Sequence, residues 1–288
     1  MTYKDKIRRH FVDVEHGQIH YRTAGEGKPL LLLHASPGSS RQLEKLISDF
    51  SDSRLVIAPD TPGNGDSDAL PLDEPTIIDL AHSILNFCEV MGFEKVDLYG
   101  SHTGGTIAAE LAILAPRKIN RLIIDGVMVL TSEELDDLMA NYAFPFPADL
   151  EGAYLSKIFQ FCRDQYLFFP WYKRTRAGRR DNGLGSAEDI RAWVLEVLKA
   201  SETYHLNYRA AFRWGAGERL PLISVPSLIL AGENDPLFET SQKVAKALKG
   251  GRFEALPRFD ADEFGTTRKK VMTDFFSCEL PQLVKEQV

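Results

Sequence analysis

An α/β fold, with a mostly parallel eight-stranded sheet, flanking helices and an inserted helical cap, is what the amino-acid sequence predicts. Three observations carry that reading. Apolar runs of strand length alternate with amphipathic stretches of helix length, and tight turns rich in small residues follow several of the runs. The alternation breaks once, for about 90 residues of aromatic-rich helical pattern, and then resumes. Such alternation implies right-handed crossovers between parallel strands.

The chain opens with two strand-like segments, residues 11–14 and 18–23, whose apolar and polar positions alternate around Glu15-His16-Gly17 as in a half-exposed hairpin. Residues 30–33 are four consecutive leucines between Gly27 and the turn His34-Ala35-Ser36-Pro37-Gly38, the signature of a strand covered on both faces. A helix at 41–49 leads to a strand at 55–58, a helix at 77–91, a strand at 96–99, a helix at 103–114 and a strand at 121–124. After the break come a strand at 227–231, a strand at 253–256 and a helix at 267–276. The organisation expected is a core of residues 1–128 and 220–288 that carries a helical cap at 129–219.

Composition narrows the function. With 34 basic and 41 acidic residues the 288-residue chain has a net charge of −7, which repels a phosphate backbone and argues against nucleic acid as a partner. Apolar runs such as 29–33 fall far short of the roughly 20 residues of a membrane span, and Met-Thr-Tyr-Lys-Asp-Lys has no apolar signal core, so a cytoplasmic protein is expected. Cys88, Cys162 and Cys278 are odd in number, widely spaced and outside any C-x-x-C pattern, as structural, unpaired thiols would be. No repeat of 20 to 50 residues is present. Without a glycine-rich phosphate loop or a ligand cluster, no cofactor and no metal are expected.

The chemistry concentrates in the turns. Between the strand at 96–99 and the next helix lies Gly100-Ser101-His102-Thr103-Gly104-Gly105. Small residues on both sides let strand and helix approach closely, which pushes the middle residue, His102, up in strained backbone geometry. This turn resembles the nucleophile elbow of the α/β-hydrolase superfamily, G-x-S-x-G. His34-Ala35-Ser36-Pro37-Gly38 resembles that family's H-G-x-P-G oxyanion turn, and residues 60–67, Asp-Thr-Pro-Gly-Asn-Gly-Asp-Ser, its D-x-P-G-x-G-x-S loop. Ala231-Gly232-Glu233-Asn234-Asp235-Pro236 follows a late strand, as the family's acid-bearing turn does. The four landmarks occur in family order over nearly the whole chain. Two departures stand out: the apex holds His102 where the family pattern has Ser, and no histidine occurs after His205.

The resemblance implies an oxyanion hole built from the backbone N–H groups of Thr103 and of Ala35 or Ser36, and it makes Asp235 the carboxylate that orients the His102 ring. Asp125 competes for that role, and Asp260 and Asp262 lie where the missing histidine would be. His34 is expected to organise its loop. Ser36 and Ser101 are candidate substrate contacts, as are Phe168, Trp171 and Tyr172 from the aromatic insertion. Next to them, Lys173, Arg174, Arg176, Arg179 and Arg180 form a solvated face or an entrance that attracts an anion.

The activity expected is cofactor-independent hydrolysis of a small apolar or aromatic ester, lactone or C–C bond, with His102 moving the proton beside a backbone oxyanion hole. Lyase, isomerase or decarboxylase chemistry needs the same base without a nucleophile, and a catalytically inactive ligand-binding relative is the third reading. The partner is a small molecule, anionic or aromatic, with a homodimer left open.

Overall fold

The computed structural model describes residues 6–248 and 251–277. Its elements in chain order are β1 (Arg8–Val14), β2 (Gly17–Ala24), β3 (Pro29–Leu33), α1 (Glu44–Phe50), β4 (Leu55–Pro59), α2 (Ile77–Val90), β5 (Val96–Ser101), α3 (Thr103–Leu114) and β6 (Ile119–Asp125). Then come α4 (Ser132–Asn141), α5 (Ala153–Leu167), α6 (Ala187–Lys199), α7 (Tyr204–Phe212), α8 (Ala216–Arg219), β7 (Ser227–Gly232), α9 (Phe238–Ala247), β8 (Arg252–Leu256) and α10 (Phe264–Ser277). The eight strands form one sheet in the order β1-β2-β4-β3-β5-β6-β7-β8. Only β2 runs against its neighbours, pairing antiparallel with β1 and β4; all other pairs are parallel.

The leucine run explains itself in this sheet. β3 is central, so Leu31 and Leu33 face one layer, with α2, α3 and α9, while Leu30 and Leu32 face the other, with α1 and α10. β1 begins three residues earlier than its apolar alternation suggests. Its start, Arg8-Arg9-His10, is exposed and is held by ladder pairing to Thr23, Arg22 and Tyr21 rather than by burial. Likewise α10 starts at Phe264, three residues before the helical pattern becomes recognisable.

The stretch between β6 and β7 is helical and has its own apolar cluster, in which Ile158, Phe161 and Tyr204 are fully buried. Capping boxes fix two of its helix starts, Thr131 with Glu134 and Ser186 with Asp189. It rests on the loops that follow the parallel strands: Thr203 Oγ1 donates to the Gly63 carbonyl at 2.6 Å and Asn207 Nδ2 to the Pro62 carbonyl at 3.1 Å. Cys88 and Cys162 are buried and free, and burial pushes each thiol up to about 12, which makes them poor nucleophiles. Cys278 lies outside the described residues. Among the described residues no helix is long and apolar enough to cross a membrane.

Candidate active site

β5 ends at Ser101 and α3 begins at Thr103, so a single residue turns the chain from strand into helix. That residue is His102, at φ 48° and ψ −112°, the one non-glycine with positive φ among the described residues. Such a conformation costs on the order of 1–3 kcal/mol and persists only where the surroundings enforce it. Here the His102 N–H donates to the Asp125 carbonyl at 2.9 Å, and its own carbonyl accepts from the Thr106 N–H at 3.0 Å. The flanking glycines permit the crossing: a Cβ on Gly104 would lie 2.5 Å from the carbonyl oxygens of Leu33 and His34.

The strain aims the imidazole across the end of β6 at the loop that follows β7. His102 Nε2 lies 2.8 Å from Asp235 Oδ2, with the His side chain 35% exposed and the Asp side chain 15%. The other carboxylate oxygen, Oδ1, accepts from the Leu237 N–H at 2.7 Å. Burial alone would raise the Asp235 carboxyl, but His102 and the Leu237 N–H outweigh it and hold the group below the ordinary carboxylate value. Burial would likewise lower His102, but the Asp235 charge and hydrogen bond prevail and its pKa stands above the ordinary imidazole value. An ionised carboxylate can only accept, so Nε2 carries the proton and Nδ1 is the ring's basic position when His102 is neutral. The Gly126 backbone passes beside the ring, leaving no room for a side chain: a Cβ there would lie 3.0 Å from Nε2.

Of the other carboxylates, none takes Asp235's place. Asp125 is buried behind the elbow, accepts from the Tyr99 hydroxyl at 2.7 Å, and is raised above the usual carboxylate range by burial. Asp260 is exposed, paired with Arg258 at 3.0 Å and hydrogen-bonded by Asn234, and Asp262 is exposed as well. His34 is fully buried: Nδ1 donates to the Ala35 carbonyl at 3.0 Å while Nε2 accepts from the Thr61 N–H at 2.9 Å. That neutral tautomer ties the turn after β3 to the loop after β4, and burial lowers its pKa accordingly.

His102 and Asp235 open onto a cavity of about 300 Å³, with Ala35, Ser36, Ser101 and Thr103 on the same wall. A family model described as the alpha/beta hydrolase fold matches residues 28–258. The chain belongs to the α/β-hydrolase fold family. Among its relatives, the 2-hydroxy-6-oxo-6-phenylhexa-2,4-dienoate hydrolase of Burkholderia cepacia is 29% identical over 230 residues, 76% of this chain and 75% of the relative. Epoxide hydrolase 4 of Mus musculus is 30% identical over 242 residues, 77% of this chain but 64% of the relative. The 2-hydroxy-6-oxo-6-phenylhexa-2,4-dienoate hydrolase of Comamonas testosteroni is 32% identical over 112 residues, and the chain spans only 39% of its length. The crystal structure of epoxide hydrolase A from Mycobacterium thermoresistibile superposes with a TM-score of 0.73 at 20% identity, over 96% of this chain and all of that one. The enol-lactonase of Burkholderia xenovorans LB400 superposes with a TM-score of 0.72 at 18% identity, over 93% and 100%. At such identities the structural likeness speaks for the fold.

On this α/β-hydrolase frame the helical stretch between β6 and β7 supplies further lining. Of the three aromatic candidates Phe168 lines the cavity, whereas Trp171 and Tyr172 do not. Trp171 packs edge-on against Phe161 and donates Nε1 to the Tyr142 carbonyl at 2.9 Å, and Tyr172 donates its hydroxyl to Asp137 at 2.7 Å. Both secure the segment to itself. Of the basic run, Lys173 and Arg174 are spent on Asp137 and Asp164, Arg176 and Arg179 are exposed, and Arg180 reaches the cavity. Tyr142, Gln165, Trp193, Tyr208 and Phe212 also line it and had no signal in the sequence, since an aromatic or amide in a helical stretch reads as packing.

Proposed function

We propose that this chain is a cofactor-independent enzyme that hydrolyses a small carbonyl compound with an apolar or aromatic body, using His102 as general base. The observation that carries the proposal is the elbow itself: a strained apex imidazole whose Nε2 is fixed on Asp235 at 2.8 Å and whose opposite nitrogen has no hydrogen-bond partner among the described residues. In this reading Nδ1 takes a proton from water as the water oxygen bonds to the carbonyl carbon. The carbonyl electron pair moves onto its oxygen, which the N–H groups of Thr103 and of Ala35 or Ser36 receive at the start of α3, where the helix dipole adds to them. Collapse of that adduct breaks the bond to the leaving group, which takes the proton back from the imidazolium. Asp235 stays ionised throughout and steadies the charged ring.

Two relatives are named as hydrolases of a 6-oxo-6-phenyl dienoate, an aryl ketone, and the aromatic wall of Tyr142, Phe168 and Phe212 suits such a body. An ester, a lactone or an activated C–C bond all meet the same requirement. The lack of a hydroxyl or carboxylate at the apex favours one rival, a lyase, isomerase or decarboxylase that uses the base without a nucleophile.

Turnover of a panel of aryl esters, aryl lactones and aryl 1,5-diketones by the wild type and by His102→Ala tests the proposal. Hydrolysis by the wild type that falls about 10²- to 10⁴-fold in the variant is expected. Equal turnover in both would remove His102 from the chemistry, and proton exchange or elimination without hydrolysis would give the site to the rival.

A further inference from the structure

The cavity is one-sided in its polarity. Four side-chain atoms on residues that line it are buried without a partner among the described residues, Ser36 Oγ, Gln165 Nε2, Arg180 Nε and Trp193 Nε1, and each is closed off from the cavity, so that a ligand meets it only as the side chain turns. Each can donate a hydrogen bond, and three can do nothing else. No acceptor-only atom on a lining residue is left in the same condition among the described residues. Ser36 and Gln165 are 6% and 7% exposed, so water does not compensate them from the outer surface. A buried donor with no partner carries the full cost of its lost hydration, and such groups persist where a ligand or ordered water completes them.

Arg180 gives the deficit a sign. Its Nη1 donates to the Gln165 carbonyl at 2.9 Å and its guanidinium lies 5.6 Å from the centre of the Phe259 ring, two contacts that fix its position without neutralising it. No carboxylate among the described residues stands within 4.0 Å of it. Asp235, whose charge it feels, is already committed to His102. A partly buried guanidinium with free donors, beside neutral donors and an aromatic wall, is complementary to a planar anion on an apolar body.

We propose that the substrate carries a carboxylate, held by Arg180 with Ser36, Gln165 and Trp193 as further donors, while its apolar part lies on Tyr142, Phe168 and Phe212. The inference deepens the proposed function and rests on it for the chemistry, but not for binding. Arg180 is then a specificity-determining residue, and the carbonyl to be attacked is presented to His102 from an anchored end.

Binding of 3-phenylpropanoate and of its neutral isostere 3-phenylpropanamide, followed by calorimetry, tests it in the wild type, Arg180→Gln, Arg180→Lys, Ser36→Ala and His102→Ala. The acid is expected to bind the wild type at least 30-fold more tightly than it binds Arg180→Gln, with Arg180→Lys between them and the amide changing less than 3-fold. Ser36→Ala, which removes one small donor and leaves the fold intact, is expected to weaken the acid 3- to 10-fold. His102→Ala is expected to retain the acid within 3-fold. Loss of acid and amide alike in Arg180→Gln, an equal affinity in both proteins, or no binding of the acid by the wild type would overturn the proposal. If the carboxylate preference holds while no ester or ketone is turned over, the hydrolytic reading fails and this one stands. If turnover holds while Arg180→Gln treats acid and neutral substrates alike, the reverse is true.

Discussion

The elbow and the helical wall enclose the same cavity but are held by different forces, and they tolerate change differently. At the elbow, backbone packs on backbone: Gly104 meets the Leu33 and His34 carbonyls, Gly126 meets the His102 ring, and a positive φ is imposed on a histidine. In the wall, side chains pack on side chains, with Tyr142, Phe161, Trp171 and Tyr204 meeting through edge-on and tilted ring contacts of 5.1–6.5 Å. Aromatic packing can be repacked at modest cost, whereas a backbone crossing admits one atom more or none. In the proposed reading, chemistry sits on the inflexible side and recognition on the adaptable one.

The sharpest way to break this comparison is a pair of glycine replacements. Gly104→Ala places a methyl group 2.5 Å from two main-chain oxygens that cannot move without distorting β3, so a loss of about 3 kcal/mol is expected. Gly217→Ala in α8 places the same group in open space and is expected to be neutral or to stabilise by up to about 1 kcal/mol. Urea midpoints of the two variants measure both. Equal losses would mean that the elbow is no tighter than an open turn of helix.

The second test concerns charge. His102 is raised and Asp235 lowered, so their pairing stabilises the fold above the unfolded carboxylate value and below the unfolded imidazole value. The stability fades as pH falls through the folded Asp235 pKa or rises through the folded His102 pKa. A base must be neutral, so activity is expected to climb with pH through a value above 6.5. Asp235→Asn removes the charge that raises the ring. Its acid limb should move to lower pH, with maximal turnover reduced at the low end of the ~10²–10⁴ range. A pH–rate profile that does not move would detach Asp235 from the histidine.

What could be read from the sequence divides along the same line. The sheet was legible because a leucine run between turns is a local pattern with one physical meaning, whereas His102 and Asp235 stood out only through the resemblance of their turns to a family's landmarks, with Asp125, Asp260 and Asp262 competing for the role of Asp235. The wall was not legible. Phe168 faces the cavity while Trp171, three residues on, turns inward to the Tyr142 carbonyl, and nothing local distinguishes two aromatics whose facing is decided by a partner 29 positions away. Arg180 was hidden among five cations for the same reason: only the fold shows that Lys173 and Arg174 meet acids and Arg180 meets none at ion-pair distance among the described residues.

The smallest expected effect lies where the two regions touch. Tyr208, on α7, donates its hydroxyl to the Ser36 carbonyl at 2.6 Å, and this is the wall's hydrogen bond to the turn proposed to receive the oxyanion. Gln165 Oε1, at 3.3 Å, is the longer and weaker alternative acceptor. Tyr208→Phe keeps the ring and its stacking on Phe212, so the packing of the wall is preserved and only the link is cut. Leaving the Ser36 carbonyl without that donor is expected to lower stability by about 1 kcal/mol. If the wall merely encloses the cavity, turnover should follow stability and change little at room temperature. If it also holds the Ser36 turn in register with Thr103, kcat should fall several-fold while KM for a neutral substrate stays constant, because a misplaced oxyanion donor is felt in the transition state and not in the bound ground state.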